Sequence, residues 1–150
     1  MVTVCDVAKY ILTKYKEMTA MKLQKLVYYA QAWNLVWNEK SLFREQIEAW
    51  ANGPVVRELY EAHKGQFKVT ADSLNCHANP SKLSDRQKKT IDNVLSFYAK
   101  KNAQWLIDLS HMEEPWIEAR TKANLKDGER GHAIITHASM HEYYSGLINK

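Results

Sequence analysis

Apolar residues recur at three- and four-residue spacing along most of the chain, a pattern that predicts helices almost throughout. Val4, Val7, Ala8, Ile11, Leu12 and Tyr15 mark a first amphipathic helix. Thr19 offers an N-cap for a second, over about 20–37, whose main face carries Leu23, Leu26, Val27, Ala30, Trp33 and Trp37. Tyr28, Tyr29, Leu35 and Val36 make much of its other side apolar too, which is the signature of a central helix. Its polar stripe holds Gln24 and Gln31, open to two readings: buried amides satisfied by neighbouring backbone, or contacts to a partner.

The pattern changes after Asn38. Leu42, Phe43, Ile47 and Trp50 fall in a loop or short extended stretch, and Gly53-Pro54 punctuates it. Pro54 suits the first position of a helix that Val55, Val56, Leu59, Tyr60 and His63 would continue. Residues 65–83 have little period and read as a surface connection with a short strand at Phe67–Thr70. Ser84 and Gln87 form a capping-box pair ahead of Ile91, Val94, Leu95 and Tyr98. A shorter helix is expected over about 103–109, and Glu113-Glu114-Pro115-Trp116 opens another. After a loop at 126–131, a last helix is capped by Thr136, or by Ser139 with Glu142, and buries Met140, Tyr144 and Leu147. The expected fold is therefore mainly α: a compact single-domain bundle of about six or seven helices around the helix at 20–37, with room for a small β element. No repeat or linker divides the chain, so the domain is expected to span 1–150.

With 150 residues, 45% hydrophobic and 25% charged, the chain can bury a core without metals or disulfides. No apolar run approaches the roughly 20 residues that cross a bilayer, and the N-terminus lacks the apolar core of a signal peptide, so no membrane is implied. Cys5 and Cys76 are too few for a disulfide framework. Cys5 lies on the apolar side of the first helix, which reads as a buried thiol in a reducing cytoplasm. A net charge of +4 and a pI near 9.0 leave a nucleic-acid-binding regulator open as an alternative. Acidic residues are scattered among the basic ones, however, and the only dense cluster, Arg86, Lys88 and Lys89, is ordinarily a solvated helix face.

Catalytic chemistry finds little support. His137 and His141 stand four apart, a separation that lets two imidazoles meet one zinc ion, with His132 just upstream. The intervening residues place Ala138 where a zinc protease needs its glutamate, so a metal-dependent enzyme built on these histidines is the weakest reading. Cys76-His77 and Ser110-His111 are neighbours in sequence only. There is no phosphate loop, dinucleotide fingerprint or nucleophile elbow. The expectation is a non-enzyme with no catalytic residues, no metal and no cofactor.

Three ordered blocks carry a resemblance. The first is Leu23-Gln24-Lys25-Leu26-Val27-Tyr28-Tyr29-Ala30-Gln31-Ala32-Trp33. The second, preceded by Phe43 and Ile47, is Glu48-Ala49-Trp50-Ala51-Asn52-Gly53-Pro54-Val55, followed by Tyr60. The third is His111-Met112-Glu113-Glu114-Pro115-Trp116. Together they resemble the signature of the Panacea (SocA-like) antitoxins. The resemblance implies a cytoplasmic domain of bacteria, phages or prophages, encoded beside a toxin gene, that neutralises its protein toxin by direct binding. Toxins paired with the family include translation-blocking and alarmone-synthetase-like proteins, and one branch hands its toxin to the Clp protease. No DNA-binding segment is appended here, so self-repression of an operon is not expected. Gln24, Lys25, Tyr28, Tyr29, Gln31, Trp50, Gly53, Pro54, Tyr60, His111 and Trp116 are the residues the resemblance singles out for scaffold or partner binding. The large rings Trp33, Trp50 and Trp116 suit the scaffold. Gln24, Lys25, Gln31 and His111 are either internally paired or functional. Toxin specificity is expected in the loop 65–83 and around the final helix.

Overall fold

A computed structural model describes residues 1–148; positions 149 and 150, the end of the expected domain, lie outside the described residues. Helix α1 (Val4–Tyr15) starts at a capping box in which Thr3 and Asp6 each accept the other's backbone N–H. Val7, Ala8, Ile11 and Leu12 bury its inner face. Strand β1 (Glu17–Thr19) follows and pairs antiparallel with β4 (Lys68–Thr70), close to the strand expected at 67–70. Thr19 caps α2 (Ala20–Asn38) by accepting the Lys22 N–H at 3.2 Å. This helix is buried on most sides and is touched by α1, α3, α4, α5 and α7, so the architecture is the mainly α bundle around a central helix that periodicity predicts. Trp37, placed on its main apolar face by the helical wheel, is instead exposed at the helix end, stacked on Trp33.

The stretch before α3 differs from expectation. Val55 and Val56 do not continue a helix from Pro54; residues Ile47–Trp50 (β2) and Gly53–Val56 (β3) form an antiparallel hairpin, and α3 runs only from Arg57 to His63. The physical reason lies in three features. Gly53 has φ +114°, a conformation that leads out of a tight turn and not into a helix. Val55 and Val56 are β-branched and pair with Glu48 and Ile47. Pro54 faces Ala49 at a position where the ladder asks for no N–H, since the Ala49 N–H turns away to Ala133 O on the side of β5 (Ile134–Ile135).

Helices α4 (Asp85–Tyr98) and α6 (Glu114–Lys122) form where Ser84–Gln87 and Pro115 predict, and α5 (Ala103–His111) starts at the expected position, capped by Asn102 and running two residues past the expected end. Helix α7 (His137–Ile148) is capped by Thr136, whose hydroxyl accepts the Ser139 N–H at 3.1 Å, and it buries Met140 and Tyr144 but leaves Leu147 exposed. Cys5 is not a free thiol: it forms a disulfide with Cys76, Cα–Cα 6.4 Å, which ties α1 to the 65–83 connection. A separation of 71 residues hid that approach from any local reading. Asp6 reinforces the tie by accepting the Asn79 N–H at 2.7 Å. Among the described residues no helix is long and apolar enough to cross a membrane.

Candidate functional site: a hairpin clamped from beneath

Four residues of the sequence blocks, Gln24, Lys25, His111 and Trp116, converge with Arg120 on one object, the backbone of the β2–β3 hairpin. Arg120 donates to Ala49 O at 2.9 Å, the Trp116 indole to Trp50 O at 2.8 Å, and His111 Nε2 to Ala51 O at 2.8 Å. Because a carbonyl only accepts, His111 carries its proton on Nε2. Lys25 donates to Pro54 O at 3.0 Å, and the Gln24 amide bridges Val56, giving an N–H to its carbonyl and accepting its N–H at 2.9 Å. Five side chains from α2, α5 and α6 thus fix the hairpin from its inner side. The second amide, Gln31, does the same for the loop before β2, with its Nε2 donating to Phe43 O at 2.8 Å and its Oε1 accepting from Leu42 N at 2.6 Å. Both glutamines are internally satisfied amides.

Lys25 is fully buried with no counter-ion beside it, and desolvation pushes its ammonium down to about 7 from the ordinary 10.5. His63 faces the same buried region. Burial, then the Lys25 charge, lowers its pKa, consistent with an Nε2 that accepts from the Gln24 amide at 3.0 Å. Gly53 covers the lysine closely: a Cβ there would stand 2.8 Å from Lys25 Cε and 3.1 Å from Ser110 Oγ. Gly53→Ala combines that crowding with a strained positive φ, and is expected to destabilise the fold by about 2–4 kcal/mol. A urea denaturation midpoint checks this.

A second buried network ties α2 to α6 and α7. Tyr29 and Tyr144 hydroxyls both donate to Glu113 Oε1 at 2.7 Å, and the Tyr28 hydroxyl lies 2.9 Å from that of Tyr144. Desolvation raises the Glu113 pKa, and the two phenol donors oppose that rise. Desolvation raises the phenols too, Tyr98 to about 12. Tyr28, Tyr29 and Trp116 are therefore buried scaffold, with none of their polar atoms offered to solvent as a free surface.

The outer side of the hairpin is different. Trp50 and Tyr60 are half-buried rings 5.1 Å apart, and the Arg57 guanidinium lies 5.6 Å over Trp50 while Glu48 holds it at 2.9 and 3.2 Å. With Asn52, Lys64, Arg130 and His132 they line an open groove of about 570 Å3. Glu48 is held below the ordinary carboxylate range by Arg57 and Trp50 against an opposing desolvation. Glu48 and Glu113 stand within the second and third sequence blocks but were given no role there, and Arg57, Arg120 and Arg130 were not singled out at all. Of these three arginines only Arg120 had a local signal, one turn after Trp116 on the same helix side. Among the described residues no three His, Cys, Asp or Glu side chains gather as metal ligands. His132 sits 3.4 Å from Glu48, and His141 2.9 Å from Glu39.

The family model described as antitoxin SocA-like, Panacea domain, matches residues 23–117, more than half of the chain. The chain belongs to this family. The matched span of the Panacea domain runs from the first turn of α2 to just past Trp116, and so contains every clamp residue except Arg120. No curated protein and no solved structure matches the chain.

Proposed function

We propose that this Panacea domain is a non-enzymatic antitoxin that neutralises a cognate protein toxin in the cytoplasm by binding it directly, with the outer face of the hairpin as its contact surface. The observation that carries the reading is the clamp. Buried polar side chains fix the hairpin backbone while Trp50, Arg57 and Tyr60 remain outside, and tryptophan, tyrosine and arginine are the residues that dominate protein interfaces. A preorganised platform loses little entropy on binding, which favours tight, stoichiometric inhibition without a cofactor. The same grip suits a domain that blocks a translation-blocking or alarmone-synthetase-like toxin, or that delivers its toxin to a Clp-type protease.

The test is co-expression with each short reading frame that adjoins its gene, one of which this reading requires to be the toxin. That product is expected to arrest growth alone and to be harmless together with this chain. Continued arrest at equal expression would contradict the proposal.

A further inference from the structure

Helix α5 reaches the hairpin at its C-terminal end through His111, and at its other end it meets the C-terminus of α4. At that corner Phe97 and Trp105 are 49% and 38% exposed, their ring centroids 6.4 Å apart and tilted by 66°. The Lys101 ammonium lies 4.7 Å from the Trp105 ring and 6.0 Å from Phe97, and that of Lys100 lies 5.7 Å from Phe97. Neither lysine is paired with a carboxylate among the described residues. Cations after a helix C-terminus complement its dipole, but that does not account for two large rings left in water beside them. Seven residues beyond Trp105, Met112 is 69% exposed, two turns along the same side and about 10 Å towards the hairpin.

We infer that the α4–α5 corner is a second docking surface, built for an acidic protein segment that sets an apolar side chain between Phe97 and Trp105 and carboxylates against Lys100 and Lys101. Charge complementarity selects this occupant: the apolar centre is rimmed by two unpaired cations, the arrangement that desolvates an anchor while steering an acidic partner. A nucleic-acid strand fits less well. The remaining basic cluster, Arg86, Lys88 and Lys89, is at the opposite end of α4, some 12 Å or more away, and of the cations nearer the corner Lys22 is engaged with Ala99 O and Lys14 with Asp92, so the corner offers a short cationic rim to a protein segment and not a long track to a backbone. The inference stands on this geometry and does not depend on the hairpin being the toxin contact.

The experiment uses the whole chain, labelled with 15N, and two hexapeptides with a central tryptophan-leucine pair, one flanked by aspartate and glutamate and the other by lysine. The acidic peptide is expected to shift the amide signals of Phe97, Lys100 and Lys101 and the indole signal of Trp105, and the basic one to leave them in place. The double change Lys100→Glu with Lys101→Glu, at an exposed and a half-buried position with no ion pair to break among the described residues, is expected to weaken the acidic peptide about tenfold while the melting temperature shows the fold intact. Equal response to both peptides, shifts spread elsewhere, or an unchanged affinity in the double variant would overturn the inference. So would an oligothymidine that occupies the same signals more tightly than the acidic peptide. Failure of toxin neutralisation would leave these peptide results unchanged, so the two readings fail separately.

Discussion

Trp116→Ala is expected to destabilise the domain by about 3–5 kcal/mol, and Trp50→Ala by only about 1–2 kcal/mol, although the two rings belong to the same signature. Trp116 is 7% exposed, packs at 4.2 Å on His111, and gives its indole N–H to Trp50 O. Its loss empties a core volume and leaves a hairpin carbonyl unpaired. Trp50 is only partly buried, on the groove side, and its indole bonds the partly exposed Glu48 carboxylate at 2.8 Å. Urea midpoints of the two variants, at unchanged slope, measure the difference. Equal losses would mean that the Trp50 ring is as much a core residue as Trp116.

Stability is expected to rise between pH 7 and pH 10 by about 4 kcal/mol, and most of the rise is expected to be lost in Lys25→Met, leaving the smaller share of the partly buried Lys22. In the unfolded chain Lys25 binds its proton with the ordinary 10.5, and in the fold at about 7. Between those values the unfolded state holds more protons, so folding strengthens as pH rises; below about 7 both states are protonated and the slope ends. His63, also lowered by burial, acts in the same sense below this range, between its depressed pKa and the ordinary 6.5. Glu113, raised by burial, acts oppositely from the ordinary carboxylate range upward. Above about pH 10 the buried phenols reverse the trend, because they stay protonated in the fold while the unfolded tyrosines ionise. Chemical denaturation at fixed ionic strength across this range reads the slope directly. A Lys25→Met profile as steep as the wild type would refute the assignment to this ammonium.

The helices were legible because their signals are local. Thr19 and Ser84 cap within three residues, and the apolar period of α2 announces a helix buried on most sides. The hairpin was not, because Gly53-Pro54 before two valines reads equally well as a helix start, and what decides between them is the pairing of Val55 and Val56 with Glu48 and Ile47. Pairing across a turn has no period to detect. The motif residues were legible as a set but not in their roles: Gln24, Lys25 and His111 show as polar residues among apolar ones, while their partners are carbonyls 29 to 60 residues away. Arg57 and Arg130 were invisible for the converse reason. Nothing in their neighbourhoods distinguishes them from other surface arginines until the fold brings both to one groove.

The account turns on whether the hairpin's outer face, held in place by buried residues, is the surface that grips the partner. The direct measurement is calorimetric titration of the toxin that co-expression identifies into wild-type, Trp50→Ala and Arg57→Ala proteins, each checked for its melting temperature. The account predicts a one-to-one complex that both substitutions weaken by about thirtyfold or more, the effect of an interface hot spot, while the variants stay folded. Folded variants that bind the toxin as tightly as the wild type would contradict it.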